Sequence, residues 1–401
     1  MKNYFALFLI GLGVRLAAFA FDMPFRGDVL TFQLWAIQLF EGGLSLFYYA
    51  DTFTDYPPMY MYVLWVAGAL RDAFGFELLS WQYNLLVFTP AIVSDLITGL
   101  LLYRLFGRWV SLAYLLNPAV ILNSSVWGQV DAIHTLLLFL AVWAVIKKQS
   151  LPVYLLYGAA VLTKPQSLIV APIFLYSAFH HYRESGYDWR EGVRMLGYAI
   201  LTFAFMALLS LPFAPGFDLS PILRQYADTL GSYPFASVNA YNFYALTGGN
   251  WQEITLFYFL VSAASIVGVT CMVFWLLYRR WADVSVVFFS AGLLYIVTFV
   301  FSVRMHERYL FPALLFLLIA AAVRFDKKLI VLYAAFSVTL FVNCLDILLQ
   351  FNGIWLFDSF GVPLLHPMPF RPVSEFVALV SALNVALAVY SLKVGRDFAD
   401  G

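Results

Sequence analysis

Apolar runs of about 17–25 residues recur from one end of this chain to the other, and that recurrence decides its fold class. The stretch from Val284 to Val303 carries no charge at all. A run of that length suits a helix crossing a hydrocarbon layer about 30 Å thick, and only a helix or a closed barrel satisfies its own backbone there. Composition agrees: 63% of the 401 residues are hydrophobic and 11% charged, against roughly a quarter charged in a soluble protein. We therefore expect an all-α polytopic membrane protein. The formal net charge of zero points to no nucleic-acid partner. Cys271 and Cys344 both fall in apolar runs and read as two buried thiols.

The periodicity predicts about twelve transmembrane helices, near residues 4–21, 80–103, 107–123, 132–146, 150–163, 166–179, 193–212, 253–278, 284–303, 309–323, 328–350 and 374–392. The first resembles a signal peptide, but Arg15 lies inside its apolar stretch, so it reads as a retained helix. No repeat is visible, and no polar run is long enough for an appended soluble domain. The chain reads as one membrane domain, residues 1–401, with a motif-bearing module over 1–212 and C-terminal helices over 213–401.

Short cytoplasmic loops collect Lys and Arg. With both termini cytoplasmic, Lys2, Arg104/Arg108, Lys147/Lys148, Arg183/Arg190/Arg194, Arg279/Arg280, Arg324/Lys327/Lys328 and Lys393/Arg396 fall on that side. Arg15, Arg26, Arg71, Lys164, Arg224, Arg304, Arg308 and Arg371 are spread over the opposite face and the membrane. This bias holds only if the apolar segment 57–74 does not span. It is then an interfacial helix starting at Pro57-Pro58, a position where proline is tolerated, inside a long external first loop over about 22–79. The same topology gathers Asp28, Asp55, Asp131, Lys164, Arg224, His306, Glu307 and Arg308 on the external side.

Five stretches carry chemistry. Asp28 begins a segment in which Asp28, Thr31, Trp35, Gln38 and Glu41 recur at helical spacing, with Val29, Phe32, Leu39 and Phe40 over much of the rest; this predicts an amphipathic interfacial helix. Its aspartate reads either as a helix cap or as a functional carboxylate beside the second acidic motif, Asp55-Tyr56-Pro57-Pro58. Trp127-Gly128-Gln129-Val130-Asp131 follows at the external end of the third predicted span, with His134 on the same helix face as Asp131. Asp131 could simply cap the next span. Lys164-Pro165-Gln166 breaks the fifth and sixth spans, where a lysine could also snorkel to the interface. Arg304, His306, Glu307 and Arg308 crowd between two apolar spans, a costly placement that usually marks function; Arg and His suit a phosphate, with Glu307 orienting one of them. Asp95, inside the second predicted span, needs a partner there, and Arg15 is the obvious structural one.

Together these motifs resemble the GT-C superfamily of polyprenyl-phosphate-sugar-dependent glycosyltransferases. They are most similar to prokaryotic proteins related to GPI mannosyltransferase II and to the dolichyl-phosphate-glucose glucosyltransferases. The resemblance rests on Asp28 with Trp35, Asp55-Tyr56-Pro57-Pro58, Trp127 to Asp131, Lys164-Pro165-Gln166 and His306-Glu307-Arg308-Tyr309. The helices from about residue 328 match in hydrophobicity alone.

The resemblance implies an inverting transfer of a hexose, mannose or glucose, from a polyprenyl-phosphate donor to a hydroxyl of a lipid-linked glycan, glycolipid or cell-surface acceptor. The active site would lie on the extracytoplasmic side of the cell membrane, in an enzyme expected to be monomeric. Asp28 would be the general base, with Asp55 the second catalytic carboxylate. His306, Arg308, Lys164 and Arg304 would bind the donor phosphate. Trp35, Tyr56, Gln129, Asp131, Glu307 and Tyr309 would bind or orient substrate. No cofactor is expected; Asp28, Asp55 and Asp131 could supply oxygens to Mg²⁺ or Mn²⁺, but the reading favours a metal-independent reaction. The rival readings are a lipid or sugar transporter or flippase, a polymer ligase using a lipid-diphosphate donor, and a non-catalytic membrane scaffold.

Overall fold

A computed structural model of the chain describes residues 2–49, 53–231, 233–353 and 373–400; Arg371, placed above on the external face, lies outside them. The described residues are mostly helical. In chain order the helices are α1 (Lys2–Phe19), α2 (Arg26–Glu41), α3 (Pro58–Phe74), α4 (Trp81–Phe106), α5 (Arg108–Leu115), α6 (Pro118–Ile121), α7 (Asp131–Ile146), α8 (Ser150–Thr163), α9 (Ala171–Glu184), α10 (Trp189–Ser210) and α11 (Ser220–Gly231). A two-residue strand β1 (Ser237–Val238) and a short α12 (Phe243–Leu246) come next. They are followed by α13 (Leu256–Arg280), α14 (Val284–Phe301), β2 (Met305–His306), α15 (Phe311–Arg324), α16 (Lys327–Phe351) and α17 (Glu375–Asp400).

Each of the twelve predicted spans has a helical counterpart. Six of them, in α4, α10, α13, α14, α16 and α17, are long and apolar enough to cross a membrane, and α5 with the segment after Pro118 makes a seventh if a 52° bend is counted inside one span. That bend breaks the single helix expected over 107–123. Proline disfavours helical backbone at the residue before it, and Asn117 is extended, its side-chain oxygen accepting from the Ala119 amide. Over 166–179 the first turns are a tight 3-10 stretch, Pro165–Val170, ahead of α9.

The chain forms two compact units, neither continuous in sequence. The first comprises residues 1–25, 95–127 and 233–401; the second comprises 26–94 and 128–232. The core of the first is α14, buried along nearly its whole length, with α13, α15 and α17 packed against it and α16 packed on α15 and α17. The Ser285 hydroxyl donates to the Ala320 carbonyl at 2.9 Å, which satisfies a polar group in that apolar interior. The expected Arg15–Asp95 pair is present and fully buried. Arg15 also donates to the Gly11 and Leu115 carbonyls, and Tyr114 donates to Asp95. Losing one partner of such a pair costs about 3–5 kcal/mol, because the other charge stays buried.

Of the two thiols expected to be buried, only Cys344 is; Cys271 is exposed on α13. An apolar helix that meets lipid exposes part of its apolar surface outside the protein core.

In the second unit α2 and α3 pack along each other. They approach so closely at Gly68 that a Cβ there would stand 2.1 Å from the Ala36 carbonyl oxygen. Helix α3 starts as the sequence suggests, after an extended Pro57, and ends on Gly75 in the left-handed conformation. Helix α2 forms as expected, but its stripe differs. Trp35, placed by spacing on the polar face, is buried with Val29, Phe32, Gln33, Ala36 and Leu39. Its ring is wedged among Phe32, Phe47 and Tyr56, a burial worth more to so large an aromatic than a place in the polar stripe.

Candidate functional site

The second unit carries the carboxylates. Asp28 lies in the first turn of α2, not ahead of it, and is half-buried. One of its oxygens accepts from the Gln129 carboxamide, a contact between motifs 101 residues apart. Gln129 is fully buried, and its own carbonyl oxygen has no hydrogen-bond partner. The backbone just before it needs glycine twice over: Gly128 has φ +80°, and a Cβ there would overlap the Phe88 ring at 2.1 Å. Gln129 is thus presented by a turn whose shape is set by close packing.

Asp55 is half-buried, and the backbone around it is pinned on both sides. The Trp35 indole donates to the Phe53 carbonyl at 3.0 Å, and the Tyr48 hydroxyl to the Tyr56 carbonyl at 2.8 Å. Thr54 is tied to Gln225 of α11. Tyr56 is buried against Phe32 and Tyr60. Burial pushes the Tyr60 phenol well above its ordinary value, and the charge of Asp28 pushes it the same way. Tyr60 therefore stays protonated through neutral pH and cannot act as a base.

Lys164 was expected at an outer helix end, either snorkelling or on the donor phosphate. Instead it is almost wholly buried, its ammonium 2.5 Å from Asp131 Oδ1 and 5.9 Å from the centre of the Tyr56 ring. The chain leaves α8 at this residue in extended backbone, with Pro165 opening the next turn. His134, one turn on from Asp131, has Nε2 at 3.6 Å from the same carboxylate oxygen and Nδ1 at 3.2 Å from the Ser167 hydroxyl. Asp131, His134 and Lys164 form one buried polar cluster. Among the described residues Asp28, Asp55 and Asp131 do not gather into a group that would hold a metal ion.

The first unit carries the basic segment. After α14 ends at Phe301, Arg304 turns the chain with φ +64°, an uncommon conformation for a residue with a Cβ. Its amide donates to the Phe235 and Ala236 carbonyls. Met305 and His306 then pair in parallel with Ser237 and Val238, so the backbone at His306 is held by a strand rather than a helix end. The His306 ring is buried edge-on to Tyr233, with Tyr309 on another side. Glu307 Oε1 meets Arg308 Nη1 at 2.5 Å, the ion pair expected of it. The Arg308 guanidinium lies 5.8 Å from the Trp127 ring centre, and Trp127 stacks on Phe25. Arg304 Nε is buried without a hydrogen-bond partner, a costly state for a charged donor unless an acceptor comes to it.

The motifs do not point to one carboxylate of this unit. Asp346, on α16, is buried and accepts from the Tyr241 hydroxyl and from Gln350. Asn343 and Asn384 bind the backbone of the same 239–241 turn. Its sequence signal is that of Asp95, a lone acid inside an apolar run. Compared with models of known protein families and with curated proteins, the chain gives no match.

Proposed function

We propose that this protein is an inverting membrane glycosyltransferase that moves a hexose from a polyprenyl phosphate to a hydroxyl group of a glycan or glycolipid. The observation that carries the reading is the Gln129–Asp28 contact, since it joins two of the motifs on a carboxylate. A sugar hydroxyl is a poor nucleophile near neutral pH, and a positioned carboxylate takes its proton as it attacks. The acceptor oxygen bonds to the sugar's anomeric carbon from the face opposite the phosphate. The bond from that carbon to the phosphate oxygen breaks, and Asp28 keeps the acceptor's proton.

The leaving group passes from a phosphodiester with one negative charge to a phosphomonoester with up to two. Cations fixed at that oxygen stabilise the transition state more than the ground state. Arg308 and His306 are assigned to it, with Arg304 contributing its unpaired Nε. Lys164, paired with Asp131, is assigned a part in shaping the carboxylate side. The test is to incubate purified protein with a panel of polyprenyl-phosphate sugars and detect released polyprenyl phosphate by mass spectrometry. No release from any of them, with folded protein, overturns the reading.

The proposal includes twelve spans, cytoplasmic termini and chemistry on the extracytoplasmic face, supported by the distribution of Lys and Arg. Single cysteines replacing Arg71 or Ser150, in a background lacking Cys271 and Cys344, would be probed on whole cells with an impermeant thiol reagent. Position 71 should label and position 150 should not; the opposite result inverts the topology.

A further inference from the structure

The first unit holds a feature apart from the residues assigned to the transfer reaction. Helices α13 and α17 are both long and apolar enough to cross a membrane. They cross tightly at Gly395, where a Cβ would stand 2.7 Å from the Met272 side chain. Beside the crossing runs an open groove of about 690 Å³ lined by Cys271, Met272, Trp275, Leu392, Lys393 and Arg396. Its wall is apolar except for the two cations. Neither Lys393 nor Arg396 stands at ion-pair distance from a carboxylate among the described residues, although both act on Asp397 from farther off. The nearby Asp397 is taken by Lys328, whose ammonium lies 2.6 Å from it.

We propose that this groove binds one anionic phospholipid, its phosphate between Lys393 and Arg396 and an acyl chain along Cys271, Met272, Trp275 and Leu392. Complementarity of two kinds meets at this one place. Long basic side chains near the end of an apolar helix carry their charge to headgroup level. Two of them side by side attract a lipid of net negative charge, and basic pockets between helices bind such headgroups. A phosphate oxygen forms charge-assisted hydrogen bonds with both. A zwitterionic lipid matches the apolar wall but brings no net charge. Free phosphate matches the cations but leaves the wall bare. The proposal does not depend on the transferase reading.

The protein carries its own probe, because Cys271 lines the groove and is exposed while Cys344 is buried. Labelling of Cys271 in detergent-purified protein by N-ethylmaleimide would be timed by mass spectrometry. Phosphatidylglycerol at about ten times its dissociation constant should slow labelling roughly tenfold, as occupancy by mass action requires. Phosphatidylcholine or inorganic phosphate at the same concentration should leave the rate unchanged. The double variant Lys393→Gln, Arg396→Gln should lose the protection. Equal slowing by phosphatidylcholine would mean an ordinary lipid layer, and slowing by phosphate alone a free-anion site; either overturns the proposal, as does full protection in the double variant. If that variant does not elute as folded protein, native mass spectrometry of the wild type decides. It should retain one phosphatidylglycerol in preference to phosphatidylcholine, and equal retention overturns the proposal.

Discussion

The carboxylates of the second unit and the His306–Tyr309 segment of the first are held by different means. In the second unit side chains hold side chains: Gln129 on Asp28, Lys164 and His134 on Asp131. In the first unit the backbone does most of the holding. Arg304 turns in a left-handed conformation, and His306 sits in a two-residue strand pair with Val238. A side-chain network can be cut at one member while the fold around it persists, provided no buried charge is stranded. A strand-held segment keeps its course when a side chain is truncated, so the loss falls on whatever that side chain touches. Substitutions in the two regions should therefore fail differently.

The largest effect is expected at Asp28. Asp28→Asn keeps the size and the contact with Gln129 but removes the basicity. Single-turnover release of polyprenyl phosphate should fall by about two to four orders of magnitude, with normal elution by size. A rate near that of the wild type would remove Asp28 from the chemistry.

Lys164 tests the side-chain network itself. Lys164→Met takes the ammonium away from the buried Asp131 carboxylate, which should cost about 3–5 kcal/mol of stability. Thermal unfolding in detergent would read it, and adding Asp131→Leu should restore much of the loss, since both charges are then gone. If Lys164→Met instead unfolds normally and binds donor weakly, the lysine belongs to the phosphate and the contrast between the two regions fails there.

Arg308 tests the other side of the contrast. Its truncation should leave the course of the segment unchanged, because the strand pairing at His306 does not pass through its side chain, although the buried Glu307 carboxylate loses an ion-pair partner and some stability with it. Arg308→Ala should cut turnover by about two to three orders of magnitude, as loss of one preorganised donor does, and weaken donor binding. Arg308→Lys should recover little, since the planar fork that meets two oxygens is lost. A variant that unfolds but keeps its turnover per folded molecule would make this arginine structural.

The helices were legible because apolar length is a strong signal: every predicted span meets helical backbone, though broken by a bend over 107–123, and the two interfacial segments form α2 and α3. The bend at Asn117-Pro118 was written in the sequence too, in the residue before a proline, but apolar length over 107–123 outweighed it. The Arg15–Asp95 pair was legible from cost alone, since an unpaired acid in an apolar run is too expensive to leave. The same logic applies to Asp346. Its partner, however, is the hydroxyl of Tyr241, and one tyrosine among 25 gives no signal of its own. Trp35 and Lys164 show the limit of spacing arguments. Periodicity says which residues share a face, but not whether that face meets water or Phe47, or whether an ammonium reaches the surface or turns to a carboxylate 33 residues earlier. The strand at His306 is two residues long and has no period to read.

The smallest expected effect is the sharpest test of how the second unit works. Gln129→Glu nearly conserves volume and puts a second carboxylate against Asp28 where a carboxamide had donated a hydrogen bond. Two carboxylates in contact cannot both be ionised cheaply, so they share a proton and one of them gains it at higher pH. The base must be ionised to accept the acceptor's proton; activity is present above the apparent pKa of the pair and is lost as pH falls through it. Raising that pKa moves the acid limb of the kcat/KM profile upward by about one unit or more, while at high pH the variant regains much of its rate. A merely structural glutamine would change the amount of folded protein and leave the limb where it was. An unmoved limb in well-folded Gln129→Glu protein would mean that the residue Gln129 holds is not the base, and that the side-chain network of the second unit does not tune the reaction.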